Sequence, residues 1–133
     1  MATSDKTGEA LRKFEEALLT LEAQAQEPES RMARDSLLLR YVYTFEMCWQ
    51  CMHQLLVARG ADDTPRVAFS VLAVAFKLGW IPDAGLWKQL REARNGVSHS
   101  YDEEMAIRLA ATVRSLALPE FQRLRLLLRE QAA

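Results

Sequence analysis

Between Arg31 and Arg59 the chain carries no glycine and no proline, and the first backbone breaker is Gly60. A helix over this stretch would be about 40 Å long at 1.5 Å per residue. Leu38, Tyr41, Val42, Phe45, Cys48, Trp49, Met52, Leu55 and Leu56 recur along one side of it. That stripe is wider than a single neighbour requires, so it should meet several helices or a second subunit. A narrower polar line, Tyr43, Glu46, Gln50 and His53, runs along the other side.

The remaining segments follow the same period. Leu11, Phe14, Leu18, Leu21 and Ala25 return every three or four residues, which predicts a helix over 8–26 stopped by Pro28. Ser30 is placed to cap the long helix, and Thr64-Pro65 reads as the start of the next, ending at Gly79. Asp83 caps a shorter segment holding Leu86, Trp87 and Leu90, expected to fray at Asn95-Gly96. Asp102-Glu103-Glu104 sets carboxylates at the positive end of a last long helix. Its buried stripe reads as Met105, Leu109, Thr112, Val113 and Leu116, with a kink or restart at Pro119 before Phe121, Leu124, Leu127 and Leu128. No period-2 strand or internal repeat is visible. The expected fold is all-α: an antiparallel up-and-down four-helix bundle with an extra short helix and a kinked C-terminal helix. It forms one domain over 1–133, with 1–7 flexible.

With 17 Lys+Arg against 18 Asp+Glu the net charge is −1. Binding nucleic acid through bulk positive charge is excluded, as is a polybasic membrane tether. A local basic site is not. Residues 1–63 hold seven basic and eleven acidic side chains, whereas 85–133 hold eight basic and six acidic. No apolar run approaches the ~20 residues of a membrane span and no signal peptide is visible. Two cysteines make no disulfide scaffold. A cytoplasmic protein that does not enter the membrane is expected.

Cys48 and Cys51 have C-x-x-C spacing but fall mid-helix among Phe45, Trp49 and Met52, which points to packing rather than redox or zinc chemistry. The second candidate is Arg94-Asn95-Gly96-Val97-Ser98-His99-Ser100-Tyr101. If Asn95-Gly96 breaks the helix, Arg94 and His99 can turn onto one surface. An imidazole moves protons near neutral pH, and a guanidinium holds a phosphate. Together they suit RNA cleavage by the 2′-hydroxyl, which requires no metal and no cofactor. One histidine cannot serve as both acid and base, so two chains in a symmetric dimer would have to share a cleft.

The element Arg94-x4-His99-x-Tyr101 resembles the motif of HEPN domains. The run AFKLGWIPDAGLWKQLREARNGVSHSYDEE (75–104) is similar to the HEPN subfamily of nucleotidyltransferase substrate-binding proteins. Arg34-Asp35 and Arg40-Tyr41-Val42-Tyr43-Thr44-Phe45-Glu46, followed by Trp49, resemble that family's second-helix signature. The likeness spans roughly 10–130. It implies a dimerising bundle with a separate minimal nucleotidyltransferase chain as partner. In toxin–antitoxin members, it implies a metal-independent RNase neutralised by that partner. By position it implies catalytic roles for Arg94 and His99, support from Asn95 and Ser98, and Tyr101 as acceptor of a transferred AMP. Arg40, Thr44 and Glu46 become candidates to line the cleft. Leu39 and Val42 stand where the family commonly has Gln and Glu, which thins the polar network and widens an apolar surface. The alternatives to an RNase are a non-catalytic subunit that presents substrate or nucleotide to the partner, and a bundle with no active cleft.

Overall fold

A computed structural model describes residues 2–61, 63–99 and 102–133, with side chains from Asp5 onward. Among them the chain is helical, with no strand. Its helices are α1 (Ala2–Ala25), α2 (Arg31–Ala58), α3 (Ala68–Lys77), α4 (Ala84–Val97), α5 (Glu103–Thr112) and α6 (Leu118–Ala132). A wide π turn, Val113–Ala117, joins α5 to α6 into one bent rod. α1, α2, α4 and the α5–α6 rod form the bundle, and short α3 packs on α2. No described helix is long and apolar enough to cross a membrane.

The long second segment is the axis of this fold. Leu37, Leu38, Tyr41, Phe45, Cys48, Met52, Leu55 and Leu56 are all buried, and α2 touches every other helix. Its wide stripe is therefore used up largely within the chain. Two ends expected from sequence are present: the Ser30 hydroxyl accepts from the Ala33 N–H at 3.0 Å, and Asp83 accepts from the Leu86 N–H at 2.9 Å. Gly60 and Gly79, with φ of 89° and 79°, close α2 and α3 by the same device. The N–H three residues past each helix bonds back, Ala61 to the Leu56 carbonyl and Trp80 to the Ala75 carbonyl.

Several expectations are corrected. α1 opens at Ala2, ahead of Gly8, with Asp5 in its first turn. Thr64-Pro65 does not start a helix. The Thr64 carbonyl accepts from His53 Nε2 at 3.2 Å, and the chain bends before α3 begins after Val67. His53 is thereby drawn off the polar line and buried. In α5 the core positions are Ala106 and Ala110, not Met105 and Leu109, which lie at the edge of the core. Small alanines let the rod approach α2 closely.

Pro119 falls in the first turn of α6, and the helix widens just before it. The Leu118 N–H reaches back five residues to the Val113 carbonyl. Proline cannot donate and its ring crowds the carbonyl four residues back, so the wider turn relieves a clash that an α-turn would hold.

Candidate functional site

α4 is fixed to the bundle at two points below the motif. The Tyr41 hydroxyl donates to the Leu90 carbonyl at 2.6 Å, and Trp87 Nε1 donates to Glu120 Oε2 at 2.7 Å. Burial raises the Tyr41 phenol well above its ordinary pKa, so the donor stays protonated. Phe45, Trp87 and Phe121 pack ring against ring around these bonds. The last turn of α4 is thus set on a rigid base.

Arg94 lies in that turn. Its Nε donates to Glu46 Oε1 at 2.7 Å, and its Nη2 pairs with the same oxygen. The other Glu46 oxygen accepts from Trp49 Nε1 at 2.6 Å. Trp49 is buried, so Glu46 is held from within α2 and in turn holds Arg94. The Arg94 side chain remains 36% exposed, with Nη1 3.4 Å from Asn95 Oδ1. One edge of the guanidinium is spent on Glu46, and the other faces outward, as phosphate binding requires.

Helix α4 does not break at Asn95-Gly96. It runs on to Val97, with Ser98 as its last, still helical cap. Gly96 keeps helical geometry because it faces α5. A Cβ there would lie 3.5 Å from Leu109 and 3.7 Å from Met105. The chain leaves the helix after Ser98, and the His99 N–H bonds the Gly96 carbonyl at 3.0 Å. His99 and Ser98 are exposed, and no hydrogen bond among the described residues joins His99 to Arg94. The turn expected between them is therefore displaced to the far side of Ser98. Tyr101, the expected acceptor, lies outside the described residues, as does Ser100.

The three candidate lining residues separate. Arg40 and Glu46 line a groove of about 680 Å³ on the outer side of α1 and α2, whose wall is mostly apolar. Leu39, Val42 and Tyr43 supply that wall, with Lys13 opposite on α1. Thr44 does not line it. It is fully buried, and its hydroxyl donates to the Arg40 carbonyl at 2.7 Å and faces the Ala17 carbonyl at 3.3 Å, inside the α1–α2 contact. The groove ends at Glu46, beside Arg94.

Sequence reasoning named Glu46 but missed its bond to Arg94, 48 residues away. The available signal was Trp49 three positions on, one helical turn from a carboxylate that would otherwise be solvated. Cys48 and Cys51 are buried as expected. Desolvation raises both thiols, Cys51 to about 12.

A family model described as "Nucleotidyltransferase substrate binding protein like" matches residues 6–130. No curated protein matches the chain.

Proposed function

The chain belongs to the nucleotidyltransferase substrate-binding protein-like family, and on that premise we propose that it is the HEPN partner of a separate minimal nucleotidyltransferase chain. Its own activity in this reading is metal-independent RNA cleavage in the cleft of a dimer. The observation that carries the reading is the clamped guanidinium of Arg94, one edge fixed by Glu46 and Trp49, with His99 exposed five residues on, just past the end of α4.

The chemistry balances with side chains alone. The 2′-oxygen attacks its phosphorus while the P–O5′ bond breaks, leaving a 2′,3′-cyclic phosphate and a 5′-hydroxyl. His99 of one protomer takes the 2′-proton, and His99 of its partner gives a proton to O5′. Arg94 stabilises the charge that gathers on the phosphoryl oxygens. Exposed Leu39 and Tyr43 beside Glu46 offer the apolar surface through which a second copy would bring its own pair. Transfer of AMP to Tyr101 by the nucleotidyltransferase would add a negative charge seven residues along the chain from Arg94, able to compete for its guanidinium and stop the reaction.

The test is RNA degradation by purified protein in excess chelator. His99→Ala and Arg94→Ala should each lower the rate by about 10²–10⁴-fold with the oligomer unchanged in sedimentation. Cleavage that survives His99→Ala, or that needs Mg²⁺, overturns it. A single AMP unit added to Tyr101 by the partner and ATP, read by mass spectrometry of the tryptic peptide, tests the acceptor role.

The groove itself favours a second reading, a non-catalytic subunit that presents a substrate. Its volume is that of a small-ligand site, with Lys13 and Arg40 alongside Glu16 and Glu46 over an apolar wall. Nucleotide binding lost in Arg40→Ala, without any RNA cleavage by the wild type, would decide for it.

A further inference from the structure

A second apolar surface lies on α3 and α4, distinct from the groove that Arg40 and Glu46 line. α3 buries Val71, Leu72 and Ala75 against the bundle. Its opposite side carries Phe69, Ala73 and Phe76 at spacings of four and three, with Phe69 66% and Phe76 46% exposed. Val67 and Leu78 are exposed at its two ends. Leaving such side chains in water is unfavourable, and so many together mark an interaction surface.

Between α3 and α4 runs a groove of about 170 Å³, floored by Ile81 and Trp87. It is smaller than the roughly 300 Å³ at which small-molecule pockets begin, and it has the apolar floor that receives side chains. The charged residues that line it, Lys88 and Arg91, are both cations, and no carboxylate lines it. Lys77 is exposed in the last turn of α3, and Arg66 is exposed just before that helix. The Arg91 guanidinium lies over the Phe69 ring, 5.1 Å from its centroid. That ring face is therefore already covered, which leaves it poorly placed to stack a nucleobase.

We propose that this groove docks a helix of a partner protein whose apolar face is edged with Asp and Glu, the apolar side chains entering between α3 and α4 and the carboxylates meeting Lys88, Arg91 and Lys77. Helix-in-groove binding uses apolar anchors repeating at three and four residues on the incoming helix, which here would lie against the wall made by Phe69, Ala73 and Phe76. The cationic rim selects among helices of equal hydrophobicity by charge.

The probe is a pair of stapled helical peptides of about five turns with the same Leu/Phe stripe. One is edged with Glu, the other with Lys, and each is titrated by fluorescence anisotropy against the whole protein. The Glu-edged peptide should bind at least about tenfold tighter, and Phe69→Ser and Arg91→Glu should each weaken it by about tenfold or more. Lys88→Glu with Arg91→Glu should reverse the preference. Phe69 is exposed, so its replacement leaves the core untouched, and circular dichroism checks the fold. Leu39→Ser, in the other groove, should change nothing in this assay.

Equal binding of the two peptides, binding of neither, or wild-type binding by Phe69→Ser overturns the proposal. So does oligouridylate binding abolished by Phe69→Ser, which would make the surface a nucleic-acid site. A change of oligomeric state in that variant would instead make it a contact between copies of this chain, and would equally overturn it. None of these outcomes depends on RNA cleavage, so the proposal stands or falls apart from the reading of Arg94 and His99.

Discussion

Glu46 gives one oxygen to Trp49 and the other to Arg94, so a single carboxylate both orients the guanidinium and cancels part of its charge. On the proposed reading as an RNase these two effects have opposite consequences for cleavage. In Glu46→Gln the uncancelled charge should lower KM, while the loosened guanidinium should lower kcat, by about tenfold or more, as orientation is lost. Steady-state cleavage kinetics separate the two; a fall in kcat without a fall in KM would mean that charge cancellation matters little. Arg34 shows a different arrangement. Its buried guanidinium bonds Glu29 and Glu103, both at 2.8 Å, and Arg34 holds the Glu29 carboxyl below its ordinary 4.5. A lowered carboxyl pKa stabilises the fold above the unfolded value and loses that contribution as pH falls through the folded one. Arg34→Met should therefore reduce the loss of stability between pH 7 and pH 3, measured by urea unfolding at both. Arg94 and Glu46 were legible singly, since each is a charged residue in a patterned segment. Their pairing was not, because sequence spacing within one helix carries no information about which side of α4 meets α2.

At the scale of the elements, the sequence assigns one break to Asn95-Gly96 and one to Pro119; α4 continues through Gly96 to Val97, and the rod bends at the π turn just before Pro119. Gly96 is helical and faces only ordinary contact distances at a Cβ, 3.5 Å and beyond. Gly96→Ala should stabilise the protein by about 0.5–1 kcal/mol, raising the thermal midpoint. A drop instead would mean that Leu109 and Met105 cannot yield. Ser30→Ala removes the acceptor of the Ala33 N–H and should cost about 1 kcal/mol. The bundle was readable because apolar spacing and the caps at Ser30, Asp83 and Asp102 agree on where helices begin. Thr64-Pro65 misled because it carries a helix-start signature whose carbonyl is claimed by His53, a contact 11 residues back in sequence.

As a whole molecule the chain is nearly neutral and carries two exposed apolar faces, Leu39 with Tyr43 and Phe69 with Phe76. If the first joins two copies, Leu39→Glu should give a monomer in sedimentation equilibrium with helicity intact, and RNA cleavage should vanish with the dimer. A monomeric wild type would remove the shared cleft. The sequence pattern leaves Leu39 outside the buried stripe, and Leu39 is exposed as that predicts, whereas Val42, read as part of the stripe, lines the groove beside it. The rod made by α5 and α6 ties these scales together. Val113, Ala117 and Phe121 are all buried, at spacings of four and four. In an ideal α-helix that spacing drifts by about 80°. The π turn absorbs the drift, so the rod's first half can face α2 and α4 and its second half α1. The molecule thus holds one residue more in this turn than a regular helix would, just ahead of the proline that a regular turn would crowd. Deleting the exposed Ser115 would close the π turn to an ordinary α-turn, which would leave Phe121, Leu124 and Leu128 in phase but set the Pro119 ring against the carbonyl four residues back.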